Sequence, residues 1–292
     1  MIKDLEYLEL VTIENNQFIF NEKDYLSFIS KIPEDNPLAI ISILGCYRSG
    51  KSFLLNIIAE RLKDNNNISL PEIFPSKYSI EPVTNAILMQ KDPIFININN
   101  KQIAVMLIDT PGLFDTKTNQ DITNKLFGIV SLLSSNVIYN IEKRIQEDHL
   151  QNIGIFSEIT KIAKNKNKIQ HNLDILIRDY QNFDDITTNN VSTISNNYLK
   201  EMLEFRSNHE FDNTRNTIKS TFDNITCNLL PHPGFDILKK NAIITRCKLR
   251  DEFNLYLDNY LNNFIEHISI KKINDIFINK PLFKFLKIIR DA

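Results

Sequence analysis

The chain has 292 residues, 42% of them apolar and 24% charged, with a formal net charge of −2 and a pI near 6.2. That is enough apolar material for one large or two small domains, and the near-neutral balance argues against a protein built to coat nucleic acid. No uninterrupted apolar run approaches the roughly 18–20 residues needed to span a bilayer, so at most peripheral membrane contact is expected.

Asp4, Glu6 and Glu9 interrupt the first eleven residues, which therefore do not read as a signal peptide. Residues 8–20 are expected to form a strand pair turned at Asn15-Asn16. Residues 22–32 have helical spacing, with Tyr25, Leu26, Phe28 and Ile29 on the partly buried face and Pro33 as the stop. The run at 38–44, Leu-Ala-Ile-Ile-Ser-Ile-Leu, is nearly continuous apolar sequence, as in a strand buried within a parallel sheet. It leads into Gly-Cys-Tyr-Arg-Ser-Gly-Lys-Ser at 45–52, which matches the phosphate loop G-x-x-x-x-G-K-[ST]. Phe53, Leu54, Ile57, Ile58 and Leu62 then follow helical spacing. A strand, a loop and a helix in that order put backbone N–H groups and a helix N-terminus against phosphates.

Residues 63–79 are polar, Asn-rich and broken by Pro71 and Pro75, a loop by composition. Residues 86–90 and 94–98 are expected as antiparallel strands. A second strongly apolar strand, 103–108, runs straight into Asp109-Thr110-Pro111-Gly112. Helical patterning covers 121–133 and 147–163, and 173–177 is a third buried strand ending in Arg178-Asp179. Residues 183–201 begin as polar loop and turn helical towards Phe222. Residues 225–230 form a strand stopped by Pro231-His232-Pro233-Gly234, and 247–264 and 281–290 read as helices. Strands alternating with helices predict an α/β fold, a mainly parallel twisted sheet with helices on both faces. Cys46, Cys227 and Cys247 are scattered without metal-ligand spacing, which fits a reduced, cytoplasmic chain.

Four segments carry the chemistry. Lys51 is expected to reach the β- and γ-phosphates, and the Ser52 hydroxyl to ligate Mg²⁺. Asp109, at the carboxyl end of its strand, would complete the magnesium shell, and Gly112 would offer a backbone N–H to the γ-phosphate. Taken alone, Asp109–Gly112 reads equally well as a strand-end turn; paired with a phosphate loop it is a strong signal. Thr84, between the two motifs, is the candidate switch threonine that grips Mg²⁺ and γ-phosphate. Asp179 suits guanine, because a carboxylate accepts from N1–H and the 2-amino group and adenine lacks that donor pair. Arg178 would lie over the base.

These features resemble the GTPase domain of the atlastin family, in the dynamin superfamily and related to guanylate-binding proteins. The resemblance rests on Arg48 at the fourth position of the phosphate loop followed by Phe53-Leu54, and on Asp109-Thr110-x-Gly112-x-Phe114-Asp115. It rests also on Gln146-Glu147-Asp148-x-Leu150-Gln151, on Leu176-Ile177-Arg178-Asp179 and on Cys227-x-Leu229-Leu230-Pro231-His232-Pro233-Gly234. The immunity-associated and chloroplast-import GTPases share Asp-Thr-Pro-Gly-Leu-Phe-Asp but lack the Arg-bearing loop and the Leu-Pro-His-Pro-Gly segment.

The resemblance implies a GTPase domain over residues 1–280 that binds GTP or GDP with Mg²⁺. Residues 281–292 would then be an amphipathic helix, ending the domain or leading into an absent helical bundle. Arg48 would be an arginine finger supplied in cis, catalytic together with Lys51 and Thr84. Ser49, Gly50, Phe53 and Pro111 would line the nucleotide, and Ile237 and Asn241 would contact it from a guanine cap that also meets a partner. A nucleotide-dependent homodimer, or pairing with another atlastin-like GTPase, at the cytosolic face of the endoplasmic reticulum is the family expectation. Pro111 stands where atlastins usually have Gln, Ala86 replaces a switch glycine, and Leu113 occupies the place of a water-orienting Gln. A nucleotide-gated dimerisation module with little turnover is therefore the alternative. The three-helix bundle and membrane-spanning segments of the family do not follow in this sequence.

Overall fold

The computed structural model describes residues 6–14, 17–46, 49–63, 73–75, 86–112, 120–164, 171–181, 183–204, 209–235 and 246–271. Its centre is a nine-stranded mixed sheet. Strands β1 (Tyr7–Glu14) and β2 (Gln17–Phe20) pair antiparallel, with Val11 opposite Phe20. Helix α1 (Glu22–Ser30) is capped by Asn21, whose side chain accepts from the Asp24 N–H. Strand β3 (Leu38–Gly45) is buried at every position. It can be so only because the sheet is covered on both faces.

Helix α2 (Lys51–Leu62) follows, then β4 (Ile87–Gln90), β5 (Ile94–Ile98) and β6 (Lys101–Asp109). β4 and β5 run antiparallel to β6 in succession, Leu88 opposite Asp109 and Ile94 opposite Val105. Where the chain breaks between them, the Gln90 amide continues the ladder. It donates to the Val105 carbonyl (2.8 Å) and accepts from the Leu107 N–H (3.0 Å). Asn99 and Asn100, at φ 50° and 62°, make the tight β5–β6 turn that asparagine tolerates best after glycine.

Helix α3 (Gln120–Leu133), β7 (Asn136–Glu142), α4 (Glu147–Lys164), β8 (Asn172–Arg178), α5 (Val191–Leu203), α6 (His209–Thr221) and β9 (Asn224–Leu229) complete the sheet. β6, β3, β7, β8 and β9 are parallel neighbours in that order, and β4, β1 and β2 extend it as an antiparallel wing. The helix predicted at 247–264 is instead a 3₁₀ turn, Arg246–Lys248, followed by α7 (Asp251–Glu266). The stretch from 183 towards Phe222, predicted to begin as loop and turn helical, holds two helices, α5 and α6. Residues 281–292 lie outside the described residues.

β7 was not assigned from the sequence, although it lies at the middle of the parallel set. Asn136 and Asn140 interrupt its apolar run, and asparagine is depleted in strands. Both are buried, and both are hydrogen-bonded as buried amides must be. Asn136 donates to the Ser269 carbonyl and accepts from the Ser269 N–H, each at 2.8 Å.

That contact belongs to a strap, residues 268–271, across the amino ends of β3 and β7. Lys271 forms an antiparallel bridge with Leu38 and its ammonium donates to the Leu133 carbonyl (2.7 Å). Burial pushes the Lys271 pKa down to about 7. An unfolded lysine titrates near ~10.4, so above about 7 the unfolded chain keeps a proton that the folded one has released. Stability should then rise with pH until roughly 10, and stay flat with respect to this group below its folded pKa. Denaturant titrations at about pH 6.5 and about pH 9 should show the wild type gaining on Lys271→Met at the higher pH. Equal changes in both proteins would refute this.

Candidate functional site

The carboxyl ends of the parallel strands share one rim. Gly45 of β3 pairs with Asn140 of β7, and Glu142 pairs with Arg178 of β8. Open α/β sheets bind ligands at this edge. A Cβ on Gly45 would collide with the Asn140 carbonyl, so the loop can leave β3 only through glycine. Gly50 precedes α2 in the left-handed conformation, φ 73°, which glycine alone adopts without cost.

Lys51 opens α2 and is almost wholly buried, with Nζ donating to the Cys46 carbonyl (3.0 Å). Ser52 Oγ donates to Asp109 Oδ2 (2.6 Å). Asp109 is fully buried, and its Oδ1 accepts from the Thr110 N–H (3.1 Å). Thr110 Oγ1 in turn donates to the Ile43 carbonyl (2.6 Å), fastening the end of β6 to β3. Pro111 and Gly112 follow, half-buried at the rim.

Burial sets the charges here. It pushes the Asp109 carboxyl up to about 6 against the opposing pull of the Ser52 hydroxyl and Lys51. It brings the Lys51 ammonium down to about 8 despite Asp109. Each group is thus short of a full counter-charge, the state in which a site gains from a polyanion beside the lysine and a cation beside the carboxylate.

At the other end of the rim, Asp179 sits at φ 55°, an uncommon backbone conformation for a residue other than glycine. Its Oδ1 is buried with no hydrogen-bond partner. A buried acceptor left open costs about 1–3 kcal/mol, and a bound ligand with an N–H donor would remove that cost. Arg178 beside it donates from Nε to Asn140 Oδ1 (2.8 Å) and reaches Glu142 Oε1 (3.5 Å).

The Pro231-His232-Pro233-Gly234 segment leaves β9 at the same rim. The Leu230 N–H donates to the Ile177 carbonyl (2.8 Å) and its own carbonyl accepts from the Tyr180 N–H (3.1 Å). The His232 ring packs 4.7 Å from that of Phe235, which is 69% exposed. The Arg250 guanidinium lies 5.9 Å from the Phe235 ring centre.

Lys51, Ser52, Ser49, Gly50, Asp109, Pro111, Gly112, Arg178 and Asp179 therefore stand along one edge, and Phe53 packs partly buried against the core. Arg48, Thr84, Ile237 and Asn241 lie outside the described residues. Asn140 and Glu142 were missed, because nothing marks a lone Asn or Glu as functional in a segment not read as a strand. Ser52 and Asp109 are hard oxygen donors, and among the described residues no group of three or more His, Cys, Asp or Glu gathers to hold a metal. Such a pair fits Mg²⁺, which keeps water and phosphate oxygens for its remaining positions.

A match to the family described as guanylate-binding protein, N-terminal domain, covers residues 15–273. Atlastin-1 of Mus musculus is 27% identical over 261 residues, 84% of this chain and 46% of its own length. Atlastin-3 of Homo sapiens is 28% identical over 249 residues, 79% of this chain and 46% of its own. Atlastin of Drosophila melanogaster is 31% identical over 244 residues, 77% of this chain and 44% of its own. The chain spans less than half the length of these relatives.

Proposed function

The chain belongs to the guanylate-binding protein N-terminal domain family, and from that membership we propose that it is an atlastin-like GTPase that binds GTP with Mg²⁺ and hydrolyses it to GDP and phosphate. The observation that carries the reading is the open, buried Oδ1 of Asp179 on the same rim as Lys51. A carboxylate so placed takes guanine N1–H and the 2-amino group, while Lys51 meets the phosphates.

Ser52 and Asp109 would hold the magnesium ion, which supplies charge neutralisation on the β- and γ-phosphates. Gly112 offers its N–H to the γ-phosphate, Thr84 senses that group, and Arg48 stabilises the charge that develops as it transfers. Arg178 lies against the base, with Ile237 and Asn241 closing over it. The nucleophilic water is oriented by backbone and switch groups, since Pro111 carries no side-chain amide.

We propose further that GTP drives two copies to pair through the rim that carries Phe235. A large exposed aromatic ring beside the site supports this, as interface cores are enriched in such residues. Light scattering after size exclusion should show a monomer without nucleotide and a dimer with GTP or a transition-state mimic. An unchanged mass would count against pairing. By the family's nature the place of action is the cytosolic face of the endoplasmic reticulum, in membrane tethering or fusion. Among the described residues no helix is long and apolar enough to cross a membrane.

The deciding experiment compares phosphate release from GTP and ATP, with and without Mg²⁺. Turnover of GTP alone, dependent on the metal, is the expected result. Tight GTP binding with negligible release would favour the second reading, a nucleotide-gated dimerisation module, for which the prolyl ring at Pro111 is the specific support.

A further inference from the structure

One buried amide touches both halves of the nucleotide site. Asn140 of β7 is fully buried. Its Nδ2 donates to the Ser49 carbonyl (2.7 Å) and lies 3.2 Å from Ser49 Oγ. Its Oδ1 accepts from Arg178 Nε (2.8 Å). The strand register puts it there, with Gly45 of β3 on one side and Leu176 of β8 on the other.

Arg178 continues the connection. A Cβ on Gly50 would lie 3.1 Å from the Arg178 Nη1, so the guanidinium rests against the turn that opens α2. The Arg178 side chain is 14% exposed, and Glu142, at 3.5 Å, is a half-exposed and distant counter-charge. A guanidinium that cannot shed its proton needs a close acceptor when buried, and Asn140 is the nearest one.

A purely structural account explains less. The backbone ladder already joins β7 to β3 and β8, and Ile138 and Tyr139 fill neighbouring positions with apolar bulk. A buried amide adds desolvation cost unless both ends are bonded. Here both ends are bonded, one to the phosphate loop and the other to the residue that faces the base.

We propose that Asn140 is a positioning residue that locks the phosphate loop to Arg178, so that phosphate and base are recognised by one rigid unit. The inference rests on the guanine-nucleotide reading above.

Affinities for a fluorescent GDP analogue, with unlabelled GDP and ADP as competitors, test it on the whole chain. Asn140→Leu should lower GDP affinity by roughly tenfold or more, the scale of a lost hydrogen bond to a charged group. It should also lower the preference for GDP over ADP by roughly fivefold, and add no such loss in an Arg178→Met background. Asn140→Asp keeps the acceptor for Arg178 and removes the donor to Ser49. It should weaken GDP and ADP together and leave the preference intact. Slackened packing alone would weaken both nucleotides equally in Asn140→Leu; that result, or an additive loss of the GDP preference with Arg178→Met, would overturn the proposal. Should Asn140→Leu fail to fold, unchanged affinities in Asn140→Asp would overturn it. A wild type that binds no GDP would instead remove the guanine-nucleotide reading itself.

Discussion

Asp179→Asn is expected to exchange guanine for xanthine selectivity. The wild-type carboxylate offers two acceptors to the two donors of guanine, N1–H and the 2-amino group. Asparagine offers one acceptor and one donor, so its amide N–H would face the 2-amino group donor to donor. Xanthine carries N1–H and a 2-carbonyl, which the new pattern matches. The open Oδ1 is buried, where a mismatched polar pair is not relieved by water. Sites built on such pairs discriminate by about 10⁴–10⁵. The ratio of GDP to XDP affinity should therefore move by roughly 10³ or more, with the fold unchanged because the substitution is isosteric. Competition titrations of both diphosphates read this directly. An Asp179→Asn protein that still prefers GDP by the wild-type margin would show that Asp179 does not read the base.

Arg48→Ala is expected to act on turnover rather than on resting affinity. Arg48 lies in the phosphate loop between Gly45, held against the Asn140 backbone, and Ser49, held by the Asn140 amide. A guanidinium on the developing charge contributes about 10³–10⁵ in rate. Steady-state phosphate release should fall by that order, while GDP affinity changes by less than about tenfold. Arg48→Lys should recover little, since a point charge does not reproduce the planar fork. Equal losses in GDP affinity and in rate would mean that Arg48 only binds.

Most of the parallel set could be read from sequence, since buried strands there are continuous apolar runs. β3, β6 and β8 stand out for that reason, and β9 for the proline-rich stop after it. β7 escaped because its burial is shared with two asparagines whose partners come from distant segments, Ser269 and Ser49. β4 and β5 were visible as strands. Their common pairing with β6, bridged by the Gln90 side chain, depends on a contact that no local pattern announces.

Sequence by itself determined the phosphate loop, the strand-end Asp109 and the Arg178-Asp179 pair. Each is a short local motif whose spacing follows from the reach of a few consecutive peptide units. Tertiary structure alone decided that these motifs share a rim, that burial moves Lys51 and Asp109 towards each other in pKa, and that Asn140 stands between the phosphate loop and Arg178. Those outcomes depend on strand register and on the exclusion of water, which segments far apart in the chain acquire only when packed together.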